Sequence, residues 1–280
     1  MVLESLFNPF VVKKKPWEMF LAGFAYTIVG LILSYIVFRD AAGLLTSFLI
    51  VIATLPLFYN TIVKEEELDL KYNHETAILK EHGKVLIYLI FLFLGVTTAL
   101  TLCYVVLPTP IVDAVFGLQQ QAITGVNSSV QGKVTQLTFF GRIFISNMKV
   151  LFFSILFSFL YGTGALFILT WNASVIATAT GNLFKSKLAE SITSVGFPTI
   201  SAHFYAASFS FMRYMTHGLL EMAAYFIAGL AGGIISIALI RHNLEDDRVF
   251  VDVIDLILIS IGFLFVAGVV EVYVTPVLFA

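Results

Sequence analysis

The stretch "MTHGLLEMAAYFIAGLAGG", Met215 to Gly233, decides the fold. Its apolar part runs from Gly218 to Ile240, and roughly 23 residues at ~1.5 Å each are enough to cross ~30 Å of hydrocarbon. Yet His217 and Glu221 stand in its first turns, and four residues on a helix return a side chain to the same face. A helix that lives in lipid and opens with a stacked imidazole and carboxylate needs something to meet them.

The rest of the chain reads the same way. Of its 280 residues 59% are hydrophobic and only 12% are charged, half the charged share of a soluble domain. Five further runs are long enough to span: roughly Trp17–Phe38, Ala41–Val63, Val85–Leu107, Ile143–Thr170 and Val253–Thr275. The expected fold is therefore an all-α polytopic membrane protein. The first run follows "KKKPW" and reads as an uncleaved first span with its basic end in the cytoplasm. A net charge of −2 offers nothing to nucleic acid, and the single cysteine, Cys103, forms neither an internal disulfide nor a cysteine metal site. No cofactor is expected.

The span count is six or seven, and the region from 171 to 215 decides it. "WNASVIATATGNLF" (Trp171–Phe184) is apolar but, at ~21 Å, short for a span. It reads as a short crossing or as a re-entrant hairpin completed by "ISAHFYAASFSFMRYM", so the segment is expected to be broken or re-entrant. Basic residues do not separate the two counts, but both place the N-terminus and the loop 64–84 on the cytoplasmic side. That loop, "KEEELDLKYNHETAILKEHGK", reads as a charged hairpin continuing its flanking helices. Its His74 and His82, eight apart, match no metal motif and read as solvated. Residues 108–142 are polar, glutamine-rich and expected to form an external loop.

Two stripes of small residues recur at intervals of four. One is Ser154, Ser158 and Gly162; the other is Ala224, Ala228, Gly232 and Ser236. Such stripes let helix backbones approach closely in lipid, so the two helices are expected to touch each other or a second subunit.

Glu271, in "FVAGVVEVYVTP", lies about one turn from the end of the last span. Consecutive spans run antiparallel, which puts Glu271 at the depth of His217 and Glu221. Buried ionisable groups pair or face water, because an isolated charge in the membrane costs several kcal/mol. Asn172 joins this cluster if the short segment is re-entrant. Three readings stay open: a structural brace, a polar site on a pathway for an ion or small solute, and a metal-dependent intramembrane hydrolase using His217, Glu221, Glu271 and His203. The last is the weakest, since His-x-x-x-Glu falls short of a zinc motif and no serine–histidine or cysteine–histidine arrangement accompanies it.

Three pieces in order carry a likeness: "ISNMKVLFFSILFSFLYGTGALFILTWNASVIATATG" from Ile145, "HGLLEMAAYFIAGLAGGIIS" from His217, and "EVYVTP" from Glu271. From about Val85 onward the chain resembles the stage II sporulation protein M family, particularly its archaeal members. Where the family usually has Asn-Asn this chain has Ser146–Asn147, and where it has Pro-His-Gly this chain has Thr216–His217–Gly218. The resemblance implies a membrane core over 85–280 with residues 1–63 as an added transmembrane hairpin. In spore-forming bacteria the family member is a multi-span scaffold that recruits a peptidoglycan-degrading complex to the septal membrane. Many relatives occur where there are no spores, so what the resemblance implies is a scaffolding or remodelling role in the cell membrane, with the bilayer, further copies or other membrane proteins as partners. Permease-like roles have also been suspected in the family.

Overall fold

A computed structural model describes residues 16–71, 75–128, 135–158, 163–195, 197, 199–242 and 247–279. The elements are α1 (Trp17–Val37), a 3₁₀ turn (Arg39–Ala41), α2 (Ala42–Lys71), α3 (Glu75–Val106), α4 (Thr109–Ser128), α5 (Gln136–Ser158), α6 (Thr163–Val195), α7 (Ile200–Ile240) and α8 (Asp247–Val269). A π-helical turn (Val270–Val274) and a last helical turn, α9 (Thr275–Leu278), close the chain. Among the described residues there is no strand. Seven helices, all but α4 and α9, are long and apolar enough to cross a membrane.

The count is thus seven, and two expectations change. The run Ile143–Thr170 is divided between α5 and α6, whose described residues end at Ser158 and resume at Thr163. The short apolar stretch Trp171–Phe184 is neither re-entrant nor a separate crossing, because it lies inside the continuous α6. The break in 171–215 falls instead between Val195 and Ile200. There the sequence reads Gly196–Phe197–Pro198–Thr199, and Thr199 caps α7 by accepting from the Ala202 amide at 3.1 Å. Proline biases the preceding residue away from helix, and a threonine cap starts the next helix.

α7 is the centre of the bundle. It touches α2, α3, α5, α6 and α8, and its spanning window is 83% buried. A helix apolar on every side buries every side, and its alanines and glycines let neighbours come close. At Gly232 an added Cβ would stand 2.7 Å from both the Ile155 carbonyl oxygen and Ser158 Cβ, so α5 and α7 meet through the two small-residue stripes. Ser154, Ser158, Ala224, Ala228 and Ser236 are all buried. Gly162 lies outside the described residues.

The α1–α2 hairpin docks on α3 by an equally close crossing. A Cβ at Gly23 would meet the Leu92 carbonyl oxygen at 2.5 Å, and one at Gly95 would run into the backbone of Phe20. Ser34 and Thr46 bond at 2.6 Å between α1 and α2, while Thr27 and Thr46 each donate to a carbonyl one turn back. In lipid these local bonds satisfy hydroxyls that water cannot reach. Pro56 sits inside α2, which continues through it.

The stretch 108–142, expected as a loop, contains a helix. Val112, Val115, Phe116 and Gln119 fall on one face of α4 at helical spacing and are all buried. Tyr104 at the end of α3 packs edge-on against Phe116 and donates to Asn182 Oδ1 at 2.5 Å. Gln119 donates to Ser174 Oγ at 3.0 Å. α4 is therefore held against α3 and α6 rather than loose above them. Residues 64–71 and 75–84 extend α2 and α3, as the charged hairpin requires.

Candidate functional site

The polar residues of α7 recur at intervals of four: Arg213, His217, Glu221 and Tyr225. At ~100° per residue they form one column on its face. The chain's last turns run antiparallel alongside. Arg213 Nη1 donates to the Phe279 carbonyl oxygen at 3.0 Å, His217 Nδ1 is 3.3 Å from Thr275 Oγ1, and Glu271 lies within electrostatic reach of Glu221 and Tyr225. The pairs 213/279, 217/275 and 221/271 thus step down the two helices together, four residues at a time.

The third wall is α5. Asn147 Nδ2 donates to Glu221 Oε1 at 2.6 Å. The structure brings His217, Glu221 and Glu271 to one place but does not bond them to one another. Glu221 is held by Asn147, His217 by Thr275, and no hydrogen bond joins Glu271 to either. Interhelical hydrogen bonds measured in lipid couple by about 0.6–1.7 kcal/mol. A double-mutant cycle of Asn147→Ala and Glu221→Gln is accordingly expected to give about 1 kcal/mol of coupling in reversible unfolding from mixed micelles. Strict additivity would show the bond to be absent in solution.

Glu271 sits in the π-helical turn, and Pro276 supplies the cause. Proline has no N–H to give the carbonyl four residues back, and its ring crowds that carbonyl, so the helix widens just before it. The two other candidates lie elsewhere. Asn172 is on α6 and lines an outward cavity with Lys149 and Trp171, away from the column. His203 is 14 residues before His217, about 21 Å along α7, where its Nδ1 lies 2.8 Å from the Thr199 carbonyl oxygen. Among the described residues no three His, Cys, Asp or Glu side chains gather as a metal site.

A second ionisable pair was hidden in the charged hairpin. His82 is not solvated: it is 4% exposed, and its Nε2 lies 3.0 Å from Asp252 Oδ2 on α8. His74 lies outside the described residues. Nothing in the spacing of His74 and His82 points to a partner 170 residues away. The usable signal was Asp252 itself, which falls at helical spacing on the buried face of the helix start with Val249, Val253 and Leu256. His82 also caps an apolar cavity of about 190 Å³ between α3, α7 and α8, lined by Leu86, Leu89, Phe226 and Leu230 among others.

Seven helices long and apolar enough to cross a membrane, with Glu221, His217 and His82 each bonded to a neighbouring segment, define a polytopic α-helical membrane protein. A family model for Stage II sporulation protein M matches residues 84–276, and the chain belongs to that family. The match begins within α3, so α1 and α2 stand outside it. Among curated proteins and solved structures, none matches the chain.

Proposed function

We propose that this protein is a membrane-embedded scaffold that binds partner proteins or further copies of itself, in the cell membrane with its N-terminus cytoplasmic. The observation that carries the reading is the α6–α7 hairpin. α7 has 41 residues, about 61 Å, roughly twice the hydrocarbon thickness. Asn182 of α6 stands level with the end of α3, and α6 continues to Val195, about 20 Å farther. This projecting part is tied internally by Lys187 over the Phe209 ring and by Phe184 against His203. Its outer surface carries Phe197, Ile200, Phe204, Tyr205 and Met212, all more than half exposed. A cluster of large apolar side chains on a projecting hairpin suits a docking surface.

The test is a photo-reactive amino acid placed at Phe204 and, as a lipid-facing control, at Leu258 of α8. Irradiation of native membranes is expected to give one discrete protein adduct from position 204 and only lipid adducts from 258. Equal, diffuse labelling from both positions would remove the hairpin as a docking surface.

A second reading, transport of an ion or small solute, is favoured by the polar column lying against a π-helical turn at membrane depth. On the scaffold reading that column is a brace, since Arg213, His217 and Glu221 each spend a bond on a neighbouring segment.

A further inference from the structure

α5 is the least covered of the seven spans: 11% of its apolar window is buried, against 33% or more in each of the others. Its outward face carries Ile145, Lys149, Phe152 and Leu156, all exposed and set in the alternating four- and three-residue steps of a helix–helix seam. Lys149 stands about 14 Å from the end of α5 at Ser158 and about 20 Å from its start, near the middle of the crossing. It has no hydrogen-bond or ion-pair partner among the described residues, and Phe153, Phe157 and Phe167 line the groove that runs from it toward Ser158. An ammonium at this depth needs an anion, and the bilayer's own phosphates lie at its surfaces. The anion has to be a protein carboxylate carried to the same depth.

The chain holds such a carboxylate. Glu271, in the π-helical turn after α8, is half-buried and has no hydrogen-bond or ion-pair partner among the described residues. It lies beside Glu221, so two acids stand together with no cation bonded to either among those residues. Asn147 is bonded to Glu221, and Lys149 is two residues, about 3 Å, farther along α5, which sets Lys149 and Glu271 at one depth. Within one copy they do not meet. Lys149 points about 200° away from Asn147 and lines the α5–α6 groove, whereas the π turn packs on α5 and α7 from the α8 side.

A two-fold axis along the bilayer normal keeps every residue at its depth and sets the α6 flank of one α5 opposite the α8 flank of the other, so contacts across it are reciprocal. We propose that two copies of this protein pair about such an axis through the exposed face of α5, Lys149 of each copy meeting Glu271 of the other. The apolar seam of Ile145, Phe152 and Leu156 closes between them, and both ammonium groups are withdrawn from lipid. The inference deepens the scaffold reading, from which it takes only the premise that the protein binds others, and it uses a surface separate from the projecting hairpin.

Disulfide formation between two differently tagged full-length copies, coexpressed in a Cys103→Ser background and oxidised in native membranes, tests it. One copy carries Lys149→Cys and the other Glu271→Cys, so the dimer keeps one of its two ion pairs. The 149–271 heterodimer is expected at least fivefold above the yield from Leu258→Cys, lipid-facing on α8, paired with Glu271→Cys at the same expression. Ile145→Cys, which leaves both charges in place, should link to itself to a similar extent. In that Ile145→Cys protein, Lys149→Glu should cut the link at least fivefold, and adding Glu271→Lys should restore it; if the swapped variant does not fold, the two disulfide yields decide. A heterodimer no more abundant than the Leu258 control overturns the proposal and leaves the face to lipid or to a foreign helix. So does a Lys149→Cys copy that links to itself in preference to Glu271→Cys. A protein that stays monomeric here yet gives the discrete adduct from position 204 fails this pairing and keeps the scaffold. Dimer without that adduct keeps the pairing and removes the hairpin.

Discussion

His82→Leu is expected to be among the most damaging single substitutions in the chain. His82 and Asp252 are 4% and 3% exposed, and Asp252 Oδ1 already has no hydrogen-bond partner among the described residues. Removing the imidazole strands the carboxylate in an apolar setting beside Leu86, Leu89 and Leu256, and breaking a buried pair in this way costs about 3–5 kcal/mol. Removing both members is a different experiment. The double variant His82→Leu/Asp252→Leu leaves no buried charge and gains apolar contact around the 190 Å³ cavity, so most of the loss should return. Thermal unfolding in detergent, followed by loss of monodisperse protein, reads both. A double variant as unstable as the single one would mean that the pair is not desolvated in the folded protein.

Gly95→Leu should match it by a different route. An added Cβ at Gly95 meets the backbone of Phe20 rather than a flexible side-chain end, and Gly23 opposite is equally tight against Leu92. α1 would have to leave α3, and with it go the Ser34–Thr46 bond and the cover over Leu92 and Val96. Overpacking of this kind costs about 3 kcal/mol, and more where backbone must move. Gly117 on α4 is the internal control, since a Cβ there meets nothing within 4 Å and alanine should be neutral or slightly stabilising. The comparison to make is the melting midpoint of the two variants in the same detergent. Equal behaviour would show that α1 and α3 do not cross at these glycines.

These two positions also show what a reader of the sequence alone could and could not see. The spans were legible because the bilayer demands some twenty apolar residues in a row, and hydropathy measures that directly. The stripes through Ser158 and Gly232 were visible because small residues four apart make a pattern. Gly23 and Gly95 make none, as each lies alone in its own helix and only their crossing gives them meaning. The same holds for His82 and Asp252, two unremarkable polar residues until α3 and α8 begin side by side.

Around Glu221 the antiparallel course of consecutive spans fixes depth but not partners. Asn147 was in view beside Ser146, yet nothing in sequence tells which face of α5 meets α7. Arg213 and Tyr225 were more accessible, since they continue the four-residue spacing of His217 and Glu221 in both directions. Asn172 was tied to a re-entrant segment, and that segment turned out to be part of the long α6. The stop and start signals at Pro198 and Thr199 were the ones to weigh. The stretch 108–142 read as a loop because its glutamines dominate composition, while Val112, Val115 and Phe116 carry the helical period that places α4 on the bundle.

On the scaffold reading proposed above, the polar column of α7 braces the bundle rather than conducting through it. The most direct measurement is flux of protons and of monovalent cations in vesicles reconstituted with the wild type or with Glu221→Gln, at matched protein density and under an imposed potential. The brace predicts leak no higher than in protein-free vesicles for both, with Glu221→Gln only less stable. Flux that requires the wild-type protein and disappears in a folded Glu221→Gln variant would contradict it and make the column a pathway.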